Sequence, residues 1–392
     1  MSEPFSKHQD TIYLEGLQGR RPELAMAYDQ LKEQARKKLR PSAYDYVAGG
    51  AGSEDTMQAN LEAFRRWRIV PRMMRNVEER DLSVKLLEAT HRAPLLLAPI
   101  GVQGLLHDEA ERATARAAAS LGLTYILSTA ASTSMEEVAA QAPQAPRWFQ
   151  LYWPRDPELT ESFLKRAEES GFAAVVVTLD TRYLGYRVRD LSRGFNPFLK
   201  GEGLANYFSD PVFRAALPAP PEEDPESAVR HFLAQFSDPS MIWDDFKTLR
   251  ELTSLPIFVK GVLHPEDAHA ALDVGVDGLV VSNHGGRQVD GSVGALEALP
   301  KVRAAVGDSL PILFDSGIRS GADMLKALAL GADAVLLGRP YAWGLAAQGE
   351  EGVREILLRM LADFELTLAL SGYSSPGQLT RQALTEAGAA DF

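Results

Sequence analysis

The stretch VVSNHGGRQVDG, from Val280 to Gly291, places a histidine and an arginine three residues apart at the end of an apolar run. An imidazole with a pKa near ~6.5 accepts a proton at neutral pH, and a guanidinium binds a carboxylate through paired hydrogen bonds. A lone histidine is more often structural, but the glycines behind His284 and the nearby Arg287 favour a catalytic interpretation. The stretch therefore predicts a site that removes a proton from an anionic substrate.

Two further residues suit the same chemistry. Asp180 ends the run AAVVVTLD and could orient the imidazole of His284, although an aspartate there could equally begin a loop. Arg187 follows shortly afterwards as a second cation for an anionic substrate, and position alone does not separate it from Arg182 and Arg189.

Short apolar runs alternate with amphipathic segments from about residue 94 onward. Eight runs are predicted as strands, at 94–101, 124–130, 147–153, 173–180, 255–261, 276–283, 311–317 and 332–339. Because such strands are apolar on both faces and alternate with helical patterns, they predict a parallel sheet covered by helices. Eight units favour an α/β fold of the (β/α)8 barrel type over an open sheet, and no Gly-x-Gly-x-x-Gly follows the first strand.

Polar residues gather where the predicted strands end, which is the active face of such a barrel. The last two ends carry glycines together with Arg319 and Arg339, a combination that favours phosphate binding over solvated turns. Lys260 could be a surface cation, a Schiff-base lysine or a charge beside an anionic cofactor. Ser128 and its neighbours Gln150 and Thr178 suit hydrogen bonds to a polar ring system or to the edge of the core.

The chain is predicted to form one barrel domain with additions. Residues 1–90 form an N-terminal helical segment, including a helix that begins with a local cap near SEDTMQANLEAFRRW. Residues 91–372 form the barrel, interrupted after the fourth strand by an insertion at about 191–240, and residues 373–392 form a tail. The Pro-rich acidic piece 217–227 is a poor core element and predicts a long, mobile surface loop beside the barrel mouth.

Composition narrows the class of protein. The 392 residues are 45% hydrophobic and 24% charged, with a net charge of −12 and a pI near 5.2. This acidity argues against partners such as nucleic acid or an anionic membrane surface. Cysteine is absent, which excludes disulfides and thiolate ligands. No signal peptide and no apolar run of ~20 residues is visible, so we expect a cytoplasmic enzyme without a membrane span.

The motifs SNHGGRQ, VKG and DSGIRSGADMLKALALGADAVLLGRP resemble the FMN-dependent L-2-hydroxy acid oxidases and dehydrogenases. The resemblance extends from about Tyr44 to Gly372. It implies a (β/α)8 barrel, FMN as the cofactor, no metal, a small L-2-hydroxy acid such as L-lactate as substrate, and a homotetramer or octamer.

The resemblance also implies individual roles. His284 would be the base, with Asp180 as its partner. Arg187 and Arg287 would bind the substrate carboxylate. Tyr46 and Tyr152 would be the active-site tyrosines. The implied FMN contacts are Ala98, Pro99, Ile100, Ser128, Gln150, Thr178, Lys260 and Ser282 around the ring, and Asp315, Gly317, Arg319, Gly338 and Arg339 along the ribityl phosphate.

Within the family, DYVAGGAG, VPRMM, ERDLSV, GRPYAWG and NYFSDPVF are most similar to lactate 2-monooxygenase, with L-lactate oxidase second. Small residues at Thr129 and Ala130, where glycolate-oxidising relatives often carry a tryptophan nearby, argue against glycolate. The expected reaction converts L-lactate and O2 to acetate, CO2 and water. The alternatives are an oxidase releasing pyruvate and H2O2, a dehydrogenase with another acceptor, and a catalytically silent barrel that binds flavin or phosphate.

Overall fold

The strands form a closed parallel barrel. A computed structural model describes residues 3–388. In chain order its strands are β1 (Trp67–Ile69), β2 (Val84–Leu86), β3 (Ala89–His91), β4 (Leu95–Leu97), β5 (Tyr125–Ser128), β6 (Arg147–Leu151), β7 (Val175–Thr178), β8 (Ile257–Val262), β9 (Gly278–Val281), β10 (Ile312–Phe314), β11 (Ala334–Leu337) and β12 (Leu384–Glu386). Strands β4 to β11 close the barrel in chain order. The predicted (β/α)8 barrel is confirmed.

Helices surround the barrel and precede it. They are α1 (Lys7–Leu17), α2 (Tyr28–Lys38), α3 (Pro41–Ala48), α4 (Asp55–Arg65), α5 (Ala110–Ser120), α6 (Met135–Gln141), α7 (Pro157–Glu169), α8 (Val188–Ser192), α9 (Ala205–Phe208), α10 (Pro211–Ala215), α11 (Pro225–Gln235), α12 (Phe246–Leu252), α13 (Pro265–Asp273), α14 (Ala295–Val306), α15 (Gly321–Ala329) and α16 (Arg339–Leu370). Helix α16 is interrupted at Gln348 and Gly349. No helix within residues 3–388 has the length and apolar character of a membrane span.

The barrel interior changes from apolar to polar along the strands. Its apolar layer contains one side chain from each barrel strand: Leu96, Ile126, Trp148, Val176, Phe258, Val280, Leu313 and Leu336. Because strand residues alternate between faces, the next inward positions lie two residues further on. Those positions are Ala98, Ser128, Gln150, Thr178, Lys260, Ser282, Asp315 and Gly338. We call these eight residues the upper ring, and each of them was predicted as a cofactor contact.

The N-terminal segment is joined to the barrel mouth by long-range contacts. The predicted local cap of α4 is wrong, because Glu54 at the cap position has φ 65° and makes no side-chain capping bond. The Asp290 carboxylate instead accepts hydrogen bonds from the backbone N–H groups of Ser53 (2.6 Å) and Thr56 (3.1 Å). A carboxylate from the loop after β9 therefore satisfies the N–H group of Thr56 in the first turn of α4 and that of Ser53 just before the helix.

The connection after β7 is a folded structure with its own aromatic core. Tyr207 and Phe232 are fully buried, with ring centroids 4.8 Å apart, and Phe198 lies 5.4 Å from Phe232. The piece 217–227 is mostly exposed, as predicted, although its last three residues already belong to α11. For the rest the predicted surface loop is wrong, because aromatic residues on both sides of that piece pack together in α9, α10 and α11.

The C-terminal segment returns to the N-terminal one. Strand β12 pairs antiparallel with β1, with Trp67 opposite Glu386. Residues 389–392 of the predicted tail, and residues 1 and 2 of the predicted N-terminal segment, lie outside the described residues.

The aromatic core of the connection leads to a stability prediction. Phe232→Ala removes a fully buried ring and is expected to lower the free energy of unfolding by about 3–5 kcal/mol, as measured by denaturant titration. The matched change Leu199→Ala, at a side chain that is 60% exposed, is expected to have little effect. Equal effects from the two changes would contradict a packed connection.

Candidate active site

A cavity lies where the barrel strands end. The predicted residues that border it are Tyr46, Ala98, Pro99, Ile100, Ser128, Tyr152, Arg187, Lys260, His284, Arg287, Asp315, Gly317, Arg319, Gly338 and Arg339. Of the remaining four, Gln150, Thr178 and Ser282 belong to the upper ring and Asp180 contacts His284. The structure thus brings the predicted residues together.

His284 and Asp180 form a hydrogen-bonded pair. His284 Nδ1 lies 2.8 Å from Asp180 Oδ1, and the Thr181 hydroxyl lies 3.0 Å from the same oxygen. An ionised carboxylate only accepts hydrogen bonds, so this contact assigns the proton to Nδ1. The lone pair of a neutral imidazole then belongs to Nε2, which has no hydrogen-bond partner among residues 3–388.

The surroundings of the pair keep the base neutral and its partner ionised. Burial lowers the pKa of His284 below its usual value, against the raising effect of Asp180. Burial alone would raise the pKa of Asp180, but the neighbouring His284, the charge of Lys260 and the hydrogen bonds from His284 and Thr181 bring it below its usual range. At neutral pH the pair therefore consists of a neutral imidazole and a carboxylate, which is the state that accepts a proton.

The turn that carries His284 is held in an uncommon conformation. His284 has φ 57°, and its backbone N–H donates to the Ser282 hydroxyl at 3.0 Å. The Ser316 hydroxyl accepts a hydrogen bond from the Gly285 N–H at 3.0 Å, and Ser316 itself has φ 81°. Positive φ at residues other than glycine costs about 1–3 kcal/mol and tends to occur at functional sites. The strain here fixes the direction of the imidazole.

Gly261 leaves room for the carboxylate of Asp180. Its φ is 111°, and a Cβ at this position would lie 2.8 Å from Asp180 Cβ and 3.0 Å from Oδ2. Only glycine combines this backbone angle with such a close approach. The residue after Lys260 therefore takes part in positioning the partner of the base.

Two arginines and a tyrosine form a cationic side of the cavity. The Arg287 guanidinium lies 5.0 Å from the centre of the Tyr46 ring, and Arg187 lies 6.0 Å from it. Burial and the neighbouring Arg187 lower the pKa of Arg287 to about 9. Among residues 3–388 no carboxylate forms an ion pair with Arg287, and the charge of Asp190 offsets the effect of burial only in part, so a substrate carboxylate would stabilise the guanidinium.

Lys260 is a buried cation within the upper ring. Its Nζ donates to the Ser282 hydroxyl at 2.8 Å and lies 3.2 Å from Asp315 Oδ2. Burial would lower its pKa, but Asp315 and Asp180 outweigh that effect and raise it. Lys260 is therefore charged, which argues against a role as a neutral Schiff-base amine.

Polar atoms of the upper ring lack partners within the described part of the chain. Gln150 accepts hydrogen bonds from Ser128 Oγ and the Thr129 N–H through Oε1, while its Nε2 is buried without an acceptor. The Thr178 hydroxyl is likewise buried without a partner. Unsatisfied buried polar atoms are costly, so these two indicate a polar ligand above the ring.

The two predicted phosphate arginines differ in their contacts. Arg339 donates to the backbone carbonyls of Val47 (2.8 Å), Gly49 (2.9 Å) and Gly285 (3.0 Å), and so also fastens the N-terminal segment to the barrel. Arg319 donates to the Ile318 carbonyl, and its Nε is buried without an acceptor in residues 3–388. Arg319 is therefore the freer of the two for a phosphate, and the additional role of Arg339 was not predicted.

Several residues at the site escaped sequence reasoning. Thr181 and Ser316 contact the base and its turn, and Leu184, Phe198 and Phe236 form an apolar side of the cavity. Thr181 and Ser316 adjoin predicted residues and could have been found from that position. The two phenylalanines lie far along the connection after β7, and no local pattern indicates their approach.

An imidazole that can accept a proton lies beside two arginines, above a ring of polar groups at a barrel mouth, and this arrangement defines a TIM-barrel active site suited to an anionic substrate. The family model described as FMN-dependent dehydrogenase matches residues 35–386. The chain belongs to this family, and FMN is its cofactor.

Similar proteins agree with this assignment. An FMN-dependent alpha-hydroxy acid dehydrogenase of Penicillium citrinum is 44% identical over 97% of this chain and 96% of its own length. An L-lactate oxidase of Lysinibacillus sphaericus is 43% identical over 89% of this chain and 90% of its own. A crystal structure of mandelate oxidase superposes with a TM-score of 0.82 and 37% identity, covering 93% of this chain and 98% of that one.

Buried polar atoms of the site that lack hydrogen-bond partners within residues 3–388 match the polar groups of FMN. Gln150 Nε2 and the Thr178 hydroxyl suit the polar edge of a flavin ring, and Arg319 Nε suits a phosphate. The roles of the individual upper-ring residues in holding FMN stay predictions.

The pair Asp180–His284 leads to a kinetic prediction. Asp180→Asn is expected to lower the rate constant of anaerobic flavin reduction roughly 10²–10⁴-fold, because an amide does not stabilise the protonated imidazole. In the unmodified enzyme the rate should fall only below pH ~6.5, since the pKa of His284 is lowered. Asp238→Asn, a nearby change without contact to His284, serves as the control. Similar rates for both variants would contradict the pairing.

Proposed function

We propose that the protein oxidises small L-2-hydroxy acids, with L-lactate and O2 as its substrates and FMN as its cofactor. The observation that carries this proposal is the placement of His284, whose ring is held through Nδ1 by Asp180 in the same cavity as Arg187 and Arg287. A neutral base opposite two cations suits a substrate that has a carboxylate next to the proton to be removed.

The arginines would bind the substrate carboxylate. Arg287 donates from Nη1 to the carbonyls of Tyr46 and Gly49, which fixes its plane. Arg187 is held by a hydrogen bond of 3.0 Å that its Nη2 donates to the side-chain oxygen of Gln288. Their remaining N–H groups make a fork that matches a carboxylate. Binding there would place the hydroxyl-bearing C2 towards His284.

The base and its neighbours would then handle the proton. His284 accepts either the hydroxyl proton or the C2 proton, and both routes require the neutral imidazole described above. Tyr152 borders the cavity with a pKa raised by burial, so its hydroxyl stays protonated and can donate to the substrate oxygen. FMN, when bound, would supply the two-electron acceptor, and the charged Lys260 would supply positive charge to stabilise the reduced cofactor.

Pyruvate, the first product of the reaction, can either stay in the site or leave it before O2 reacts. If pyruvate stays in the site, L-lactate and O2 yield acetate, CO2 and water; if it leaves first, they yield pyruvate and H2O2. We propose the first, as in a lactate 2-monooxygenase, because the folded connection after β7 covers one side of the cavity with Phe198 and Phe236. The second is favoured by the similarity to an L-lactate oxidase.

Assembly and location are also proposals. The family resemblance supports a homotetramer or octamer, and the composition supports a cytoplasmic location.

The experiment is to add L-lactate to the purified yellow enzyme under air and quantify the products. We expect acetate and CO2 in equal amounts, with little H2O2. Pyruvate and H2O2 in equal amounts would replace the monooxygenase proposal by the oxidase one.

His284→Ala tests the removal of the proton from L-lactate, a step that both product outcomes require. This variant is expected to retain FMN but to lose its reduction by L-lactate without air. Rapid bleaching of the variant would contradict the role of His284, and an unmodified enzyme that no 2-hydroxy acid bleaches would indicate a silent flavin-binding barrel.

A further inference from the structure

One side of the cavity is apolar and comes from the connection after β7. Phe198 and Phe236 border the cavity from this connection, and we call the two rings the aromatic wall. They stand 5.5 Å apart between ring centroids. Neither side chain carries a polar atom, so the wall offers an interaction only to an apolar group.

The aromatic wall is fixed from behind. Both of its rings contact the fully buried Phe232, at 5.4 Å from Phe198 and 5.2 Å from Phe236. Phe236 also lies 4.9 Å from the ring of Tyr152, which borders the cavity. A preformed wall adds binding free energy without an ordering cost, so its shape is available to discriminate between substrates.

The two arginines and His284 would set the orientation of the bound substrate. With the carboxylate on Arg187 and Arg287 and C2 near His284, the remaining C2 substituent has no cation or base to contact. The apolar surface of the cavity near Tyr152 is the aromatic wall. A methyl group, as in lactate, offers this surface little area, whereas a longer chain buries more of itself against it.

We propose that Phe198 and Phe236 are specificity-determining residues that make the site prefer L-2-hydroxy acids with linear apolar side chains longer than methyl. The inference rests on the proposed function and deepens it: L-lactate is the shortest substrate of the series. Each methylene buried against the wall raises the specificity constant about fourfold, until the space is filled.

The test is anaerobic stopped-flow reduction of the holoenzyme by L-lactate and the L-2-hydroxy acids of four, five and six carbons. The ratio of the reduction rate constant to the dissociation constant is expected to rise along the series, by more than tenfold from lactate to 2-hydroxyhexanoate. Equal or falling values along the series would overturn the inference while leaving the proposed function intact. Failure of every acid to bleach the flavin would overturn the proposed function and the inference with it.

Matched variants test whether the aromatic wall causes the preference for longer side chains. Phe236→Leu and Phe198→Leu are expected to reduce the hexanoate-to-lactate ratio at least threefold. Phe213→Leu removes a buried ring of the same connection that does not border the cavity, and should leave the ratio unchanged. A ratio that changes equally in all three variants, or in none, would show that the aromatic wall does not set the preference.

Discussion

The hydrogen bond between Asp180 Oδ1 and His284 Nδ1, 2.8 Å long, determines what the rest of the site can do. It holds the proton on one ring nitrogen and leaves the other able to accept a proton. Several features of the chain serve this contact. Gly261 makes room for the carboxylate, Thr181 contacts both partners, and the positive φ of His284 aims the ring. The uncommon backbone conformation of His284 and the glycine at position 261 therefore both serve to position the imidazole and its carboxylate partner.

The charges around this pair are arranged for a ligand. Arg287 is buried beside another cation, and its pKa falls to about 9. Lys260, in contrast, is compensated by Asp315 and stays charged. Within residues 3–388 Lys260 thus has a carboxylate partner, whereas Arg187 and Arg287 have none at ion-pair distance. An anionic substrate would supply that partner, and its binding would then be coupled to the placement of the acidic proton.

The strand ends could be predicted from the sequence because barrel geometry is periodic. Each strand has its inward face fixed by alternation, so a polar residue two positions beyond an inward apolar one must reach the mouth. This is why Gln150 after Trp148, and Ser282 after Val280, were identifiable. The whole upper ring follows the same rule.

Contacts between distant parts of the chain could not be predicted in this way. Asp290 caps α4 across more than two hundred residues, and nothing near Ser53 indicates it. The aromatic wall arises because the residue after α11, Phe236, packs against Phe198 and Tyr152, while the Pro-rich piece 217–227 suggests an open loop. Arg339 was predicted from its glycine-rich surroundings, but its bonds to Val47 and Gly49 depend on where α3 ends. Local pattern carries no information about such pairings.

The proposed role of His284 depends most directly on its protonation, which ¹⁵N nuclear magnetic resonance of the histidine-labelled holoenzyme measures. The signal is assigned by its loss in His284→Gln. At pH 7 we expect a neutral ring with the proton on Nδ1 and an unprotonated Nε2. A proton on Nε2 alone, or a doubly protonated ring at that pH, would contradict that role.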